Sequence, residues 1–431
     1  MSTKDKYKQF VNTAFLAAVE PVVIEKAEGA NYFDEDGTKF LDCFAGISVV
    51  NSGHGNELIN AAAKEQIDKL VHCCSYVYHA KPVADLAEKL AAITPGKLKK
   101  SFFGNGGAEA IEGALRLAKR FNNKNEMVAL THSFHGRSYA TLSLTGNCGR
   151  KKGGGPYMPG VSFAPAPNCY RCPFKIYDSE KCDMTCADYL DEVIKCHTSD
   201  NVSLFIAEPV MGEGGIIVPP DNYFKRIKEI LESHDILFVA DEVQSGFGRT
   251  GKMFAVDHYG VEPDIMVMAK GIANGFPLSC FIAGDEIADA FQPGDHLSTF
   301  GGNPVSCAAS LANIDYMEQN NIADQSAEKG AFLKEALAAI NPKELCIGEI
   351  RGKGLMVGVE LVEDLDTKAP AAAGAGKVRA AMREKGVLIG VGGGLANVLR
   401  IQPPLSISKE ELTQVVDTLK DILECYPPEM G

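Results

Sequence analysis

Two polar residues accompany neighbouring apolar runs in the middle of the chain. Lys270 ends the run DIMVMAK (264–270), and Asp241 lies within the run ILFVADEV (236–243). A lysine that apolar neighbours partly desolvate can be a nucleophilic amine able to form a Schiff base. The acid can cap the following helix, or it can pair with a protonated ring nitrogen of a bound cofactor. A lone lysine at a strand end is usually a surface residue, so this interpretation needs support from other residues.

A glycine-rich turn supplies a third chemical feature. The segment FFGNGGAEAIEGALRLAK runs from this turn directly into a helix-like stretch. The backbone N–H groups of Gly106, Gly107 and Ala108 can hold a phosphate at the helix start, where the helix dipole favours an anion. The turn lacks both the Walker and the GxGxxG spacing, which favours a simple phosphate cup or a structural turn over a nucleotide site. A Schiff-base lysine beside an acid is the pair that pyridoxal phosphate requires.

The elements around these residues alternate in type. Short β-branched runs at 202–208, 236–243 and 264–270 alternate with amphipathic stretches at 108–121 and 223–234. This pattern predicts an α/β fold with a wound, mostly parallel sheet covered by helices, and ligands bind such sheets at the carboxyl ends of the strands. Those ends carry Glu208, Asp241 and Lys270.

The two ends of the chain follow a different pattern. GANYFDEDGTKFLDCFAG predicts a strand pair around Asp36 and Gly37, and the last hundred or so residues predict further strands and a helix. We expect residues 1–55 and 316–431 to form one small α+β domain. Residues 56–315 then form the large cofactor-binding domain.

Composition excludes several classes of protein. The chain has 431 residues and a formal charge of −13, which argues against a generally nucleic-acid-binding or anionic-membrane-binding surface. The polar N-terminus does not resemble a signal peptide, and no apolar run approaches the roughly 18 residues of a membrane span. We therefore expect a soluble cytoplasmic protein.

Four of the 13 cysteines are closely spaced, in the pattern Cys169-x2-Cys172-x9-Cys182-x3-Cys186. Four thiolates could hold a structural zinc, but this spacing is not that of a standard zinc ribbon. Reduced loop cysteines without a metal are the favoured interpretation. The pattern resembles a cysteine-containing loop of alanine-glyoxylate-like proteins, and this resemblance weakens the argument for a metal.

Motifs that are specific in combination cover almost the whole chain, in the order FLDCFAGISVVNSGH, GNGGAEAIEGALRLAK, FHGRSYATLSLTG, AEPVMGEGG, ADEVQSGFGRTGKMFA, MAKGIANGFPL, STFGGNP and NVLRIQPPLSI. Together they resemble the class III, or 4-aminobutyrate-like, aminotransferases among the fold-type I pyridoxal phosphate enzymes. The resemblance implies a large domain with a mostly parallel sheet and a small α+β domain built from both chain ends.

The resemblance also implies which residues hold the cofactor. Lys270 would bind it as a Schiff base, and Asp241 would keep its pyridine nitrogen protonated. Gln244 would contact its phenolic oxygen, and Phe134 would stack on its ring. The other cofactor-site residues are Gly106, Gly107, Ala108, His135, Glu208 and Thr299. The cup formed by Gly106, Gly107 and Ala108 departs from many relatives, which have a hydroxyl residue first or last.

Thr299 is similar to the threonine that reaches the phosphate of the partner subunit's cofactor. The resemblance therefore implies a homodimer with active sites at its interface.

Substrate binding is implied for a second set of residues. Arg400 matches the arginine that binds the α-carboxylate of amino and oxo acids, and Arg137 matches the one that binds the distal carboxylate of ω-amino acids. Glu213 matches the acid that pairs with the first arginine and moves away when a 2-oxo acid binds. Glu208 is expected to support one of these arginines. The entrance would be lined by Ile47, Tyr76 and Tyr78, although these aromatics could equally belong to a dimer interface.

The resemblance implies transfer of an amino group from an ω-amino acid or related small amine to a 2-oxo acid such as 2-oxoglutarate or pyruvate. Three alternatives remain open within the same fold. They are an alanine-glyoxylate-type transaminase, an amino-acid racemase, and a lyase that eliminates ammonia or phosphate. A cofactor-binding protein without catalysis is disfavoured because Lys270 and Asp241 are both present.

Overall fold

The computed structural model describes residues 1–12, 19–177, 182–342 and 345–425. Its strands are β1 (Ile24–Glu28), β2 (Asn31–Asp34), β3 (Lys39–Asp42), β4 (Lys100–Gly104), β5 (Glu126–Leu130), β6 (Val161–Ala164), β7 (Val202–Ala207), β8 (Leu237–Asp241), β9 (Ile265–Met268), β10 (Ser279–Ala283), β11 (Cys346–Lys353), β12 (Met356–Val362), β13 (Val387–Leu388), β14 (Gly390–Gly392) and β15 (Val398–Ile401).

Its helices are α1 (Thr3–Phe10), α2 (Ala45–Ser48), α3 (Glu57–Lys69), α4 (Lys81–Ile93), α5 (Gly107–Asn122), α6 (Tyr139–Leu144), α7 (Thr185–His197), α8 (Tyr223–Ser233), α9 (Asp285–Ala288), α10 (Pro304–Gln319), α11 (Ile322–Ala338), α12 (Ala372–Glu384) and α13 (Lys409–Cys425). Short 3₁₀ turns include Cys148–Arg150, Ala255–His258 and Lys270–Ile272. Within the described ranges, no helix is long and apolar enough to span a lipid bilayer.

A seven-stranded sheet with the order β4-β10-β9-β8-β7-β5-β6 forms the centre of the molecule. The pairs β9-β8, β8-β7, β7-β5 and β5-β6 are parallel, whereas β10 runs antiparallel to both of its neighbours. β7, β8 and β9 coincide with the three strands that the sequence predicts. All residues of β7 and β9 are buried, as expected for strands covered on both faces. The predicted α/β fold with a mostly parallel sheet is confirmed.

The predicted helices at 108–121 and 223–234 correspond to α5 and α8. α5 buries a face of small and branched residues, including Ile111, Ala114 and Leu117, against the central sheet. It ends at Asn123, which adopts a left-handed conformation with φ of 55°. This termination is typical of a helix C-cap.

The described residues also form two smaller sheets. β2 and β3 form the predicted antiparallel hairpin, and β13 from the C-terminal part of the chain pairs in parallel with β3. The second small sheet has the order β11-β12-β15-β14 and carries Arg400 on β15. Segments from both chain ends therefore share one sheet, while the predicted domain boundaries at residues 55 and 315 stay a prediction.

Candidate active site

A cavity of about 330 Å³ opens at the carboxyl ends of β7, β8 and β9. This volume lies within the range of small-ligand sites. Ten of the residues predicted from the sequence line it: Gly106, Gly107, Ala108, Phe134, His135, Glu208, Glu213, Asp241, Gln244 and Lys270. The parallel sheet brings them together because its successive strands end at the same edge.

Lys270 lies slightly beyond the strand that precedes it. β9 ends at Met268, so the expectation that Lys270 ends the strand is wrong by two residues. Lys270 begins a 3₁₀ turn instead and has a positive φ of 47°. A left-handed turn directly after the strand redirects the chain at the sheet edge. Burial lowers the pKa of the Lys270 amine, while the nearby carboxylates of Asp241 and Glu208 act in the opposite direction.

Asp241 is held by two different contacts. Its Oδ1 accepts a hydrogen bond from the backbone N–H of Val243 at 3.1 Å, and its Oδ2 lies 2.7 Å from Nδ1 of His135. The first contact stabilises the turn that follows β8; among the described residues no helix begins there for Asp241 to cap. The second contact fixes the carboxylate in the cavity wall, and among the described residues Nε2 of His135 has no hydrogen-bond partner.

Glu208 contacts backbone amides rather than an arginine side chain. Its Oε1 accepts from the N–H of Phe134 and its Oε2 from the N–H of Gly212, both at 2.9 Å. Its charge also favours the protonated form of Arg400, and the expectation that Glu208 supports a substrate arginine stays a prediction. Burial raises the pKa of Glu208 to about 7, and the charge of Asp241 acts in the same direction.

Gln244 is oriented by a residue that the sequence analysis did not select. Nε2 of Gln402 donates to Oε1 of Gln244 at 3.2 Å and to Oγ of Ser48 at 2.8 Å. Gly212 permits this arrangement because a Cβ at that position would collide with the Gln244 amide. The motif NVLRIQPP contains Gln402 two residues after Arg400, on the same face of an extended chain, and this spacing was the available signal.

The start of α5 is open toward the cavity. A Cβ placed on Gly106 would meet nothing within 4 Å, and no described side chain caps this helix terminus. The first N–H groups of a helix have no acceptor within the helix, so those of Gly107 and Ala108 are available to an anion.

Arg400 and Glu213 form an ion pair beside the cavity. Nη1 of Arg400 lies 3.2 Å from Oε2 of Glu213, and the guanidinium stacks over the ring of Phe44 with 5.1 Å between its central carbon and the ring centroid. Nη1 is occupied by this ion pair, whereas Nε of Arg400 has no hydrogen-bond partner among the described residues. Burial lowers the pKa of Arg400, with the charge of Glu213 opposing the shift. A buried guanidinium with an unused donor is suited to receive a carboxylate.

Besides Arg400, which lies beside the cavity, five predicted residues do not line it. Arg137 is exposed, and its guanidinium packs on Phe134 with 5.5 Å to the ring centroid. The hydroxyl of Tyr76 donates to the backbone oxygen of Phe103 at 2.8 Å and its ring stacks on Phe102, which makes Tyr76 part of the packing in this chain. The other three, Ile47, Tyr78 and Thr299, are exposed.

The four closely spaced cysteines surround a separate cavity of about 100 Å³. Their thiols are free, and burial raises the pKa of Cys186 to about 12. Within the described parts of the chain, no group of three or more histidine, cysteine or acidic residues is placed to hold a metal ion.

A family model described as Aminotransferase class-III matches residues 15–423. The chain belongs to the class III aminotransferases. Among its relatives, this aminotransferase is 37% identical to a leucine/methionine racemase of Thermococcus litoralis, with 96% of this chain and 94% of the relative covered. It is 35% identical to a probable 4-aminobutyrate aminotransferase of Bacillus subtilis, with 97% and 96% covered.

Its fold matches that of solved transaminases. An amine transaminase from an uncultivated Pseudomonas species in its pyridoxal-phosphate-bound form has a TM-score of 0.89 and 32% identity, with 96% of each chain covered. The cavity fits this group, because a buried amine, a fixed carboxylate and an open helix terminus face it. The enzyme is a pyridoxal 5'-phosphate-dependent transaminase of fold type I, and its reaction uses an amino donor and a 2-oxo acid.

Proposed function

We propose that this transaminase moves an amino group from an ω-amino acid or a related small amine to a 2-oxo acid such as 2-oxoglutarate or pyruvate. The observation that carries this proposal is the ion pair between Glu213 and Arg400. An ω-amino donor has no carboxylate next to its amino group, and Glu213 neutralises the buried arginine while such a donor reacts. A 2-oxo acid brings its own carboxylate to Arg400.

The cofactor residues have complementary tasks in this proposal. When bound, pyridoxal phosphate supplies an electrophilic carbon and an aromatic ring that accepts electrons. The N–H groups of Gly107 and Ala108 bind its phosphate, and Phe134 packs against its ring. Asp241, held by His135, keeps a proton at the ring nitrogen.

Gln244 and Lys270 act at the reacting side of the ring. Because Oε1 of Gln244 already accepts from Gln402, its Nε2 is the atom that donates to the phenolic oxygen. Lys270 would hold the cofactor covalently, and its amine would take up and return the proton of the donor carbon. Burial favours the neutral amine that this task needs.

A homodimer is part of the proposal, because Thr299 lies away from the cavity of its own chain. Phe300, next to it, packs on His72 with ring centroids 5.3 Å apart, and Nδ2 of Asn303 donates to the backbone oxygen of Val71 at 3.0 Å. These contacts connect two segments that expose apolar side chains, among them Val71, Val77, Tyr78, Leu297 and Phe300. Contiguous exposed apolar surface is typical of a protein interface.

The test is a half-reaction assay on the pyridoxal form with a panel of donors. The panel contains 4-aminobutyrate, alanine and amines that carry a phosphonate or sulfonate, each followed by absorbance with and without a 2-oxo acid. We expect fast conversion with ω-amino donors and return of the pyridoxal form only when the oxo acid is added. Interconversion of amino-acid enantiomers without an oxo acid would instead support the activity named for the Thermococcus litoralis relative.

A further inference from the structure

Glu213 contacts a second arginine besides Arg400. Nε of Arg150 donates to Oε1 of Glu213 at 2.9 Å, and its Nη2 contacts the same oxygen. Arg400 is paired with the other oxygen, Oε2. One carboxylate therefore lies between two guanidinium groups, one on each oxygen.

The turn that carries Arg150 is anchored to the cavity wall. Arg150 ends the 3₁₀ turn Cys148–Arg150, which Asn147 caps by accepting from the N–H of Gly149 at 3.1 Å. Asn147 is buried, and its own N–H donates to the backbone oxygen of Ser133 at 3.0 Å, one residue before Phe134. The position of Arg150 is thus tied to the loop that holds the cofactor residues.

The two arginines differ in their surroundings. The side chain of Arg400 is 5% exposed, whereas that of Arg150 is 42% exposed. A carboxylate that leaves a buried guanidinium needs another partner or water, since an unpaired buried charge is costly. Glu213 is mostly buried, and Arg150 offers it that partner on the solvent side.

We propose that Arg150 determines specificity for the oxo-acid half-reaction by retaining Glu213 when a substrate carboxylate takes its place on Arg400. This inference rests on the proposed function, in which Arg400 binds the carboxylate of the 2-oxo acid. Arg150 acts in two ways: it competes with Arg400 for the charge of Glu213, and it keeps that charge paired after the exchange. Arg150 is a positioning residue, because it acts through Glu213 and not on the substrate.

The test compares Arg150→Gln with Lys152→Gln in the holoenzyme. Lys152 is exposed in the same loop, so the control removes the same charge. In Arg150→Gln we expect the KM for 2-oxoglutarate to rise about 3- to 10-fold. The Kd for glutarate should rise by the same factor; glutarate is an unreactive dicarboxylate, and calorimetry measures its binding. The kcat should stay within about twofold, because saturating 2-oxoglutarate drives the exchange to completion. The half-reaction with an amine that has no carboxylate should also stay within about twofold, because it requires no exchange.

A double-mutant cycle with Glu213→Gln tests whether Arg150 acts through Glu213. In the Glu213→Gln background, Arg150→Gln should no longer weaken glutarate binding. An equal loss in both backgrounds would mean that Arg150 attracts the substrate directly, and it would overturn the proposal. An unchanged glutarate Kd in the single variant would overturn it too.

Wild-type enzyme that transfers no amino group from any donor would refute the proposed function instead, while the glutarate measurement would still decide the role of Arg150.

Discussion

Nδ1 of His135 lies 2.7 Å from Oδ2 of Asp241, and both side chains are buried. With Oδ1 of Asp241 held by the backbone of Val243, the carboxylate has one orientation in the cavity wall. A fixed charge of this kind does not need to reorganise during a reaction, which is how enzymes gain most from electrostatics.

The first prediction concerns this carboxylate. Asp241→Asn should retain the cofactor but slow removal of the proton from the donor carbon, because the neutral amide no longer stabilises a protonated ring nitrogen. Losing one charge-assisted contact costs about 1.5–3 kcal/mol, which corresponds to roughly 10- to 150-fold in rate. Single-turnover absorbance measures the rate, and a variant with the wild-type rate would remove the assigned role.

The second prediction concerns the lysine. Lys270→Ala should have no turnover, and borohydride reduction of the wild-type holoenzyme followed by peptide mass spectrometry should locate the cofactor on Lys270. Lys119 on α5 is a suitable control because burial lowers its pKa as well, yet it lies outside the cavity. Lys119→Ala should keep its activity. A modified peptide from any other lysine would contradict the assignment.

The third prediction divides the substrate between two arginines. Arg137→Ala should slow the half-reaction of ω-amino acids more than that of 2-oxo acids, and Arg400→Ala should do the reverse. Each variant loses one charge-assisted contact, so kcat/KM of the affected half-reaction should fall roughly 10- to 150-fold. The fall for Arg137→Ala should be at the lower end of this range, because Arg137 is exposed. If Arg137→Ala leaves all donors unchanged while Arg400→Ala impairs all of them, an alanine-type donor or a racemase becomes the better assignment.

The fourth prediction uses the raised pKa of Glu208. The pKa of this carboxyl rises from 4.5 to about 7 on folding. Between these two pH values the carboxyl binds more protons in the folded state than in the unfolded state. Its contribution to the free energy of unfolding therefore falls as the pH rises from about 4.5 to about 7. Glu208→Gln removes this dependence. The unfolding free energy of the variant relative to wild type should therefore increase, by on the order of 2–3 kcal/mol, between about pH 4.5 and pH 7.

Urea unfolding of the two apoproteins at several pH values measures this difference. The absolute stability of Glu208→Gln also includes the loss of one hydrogen-bond acceptor, for the N–H of either Phe134 or Gly212, and this loss is present at every pH. A difference that stays constant with pH would show that Glu208 titrates normally.

The fifth prediction concerns assembly. Phe300 is 63% exposed in the single chain, and Phe300→Glu should weaken the proposed homodimer by placing a charge in an apolar interface. Sedimentation should then show monomers with little activity, whereas Thr299→Ala should stay dimeric and bind the cofactor more weakly. A fully active wild-type monomer at assay concentration would refute both expectations.

Much of the architecture follows from local sequence patterns. The apolar runs that became β7, β8 and β9 and the helix α5 are recognisable because periodicity and composition are local properties. The sequence pattern predicts the end of β9 two residues too late, because apolar residues continue up to the turn that begins at Lys270. Strand ends depend on backbone hydrogen bonding, which hydrophobicity does not record.

By itself, the sequence determined the family, because the motifs of the family are short contiguous segments, and it predicted the residues that carry the chemistry. Only the tertiary structure decided the partners of those residues. His135 and Asp241 are 106 positions apart, Gln244 and Gln402 are 158 apart, and Arg150 and Glu213 are 63 apart. Contacts over such separations are created when the sheet edge and the loops fold against one another, and no local pattern encodes them.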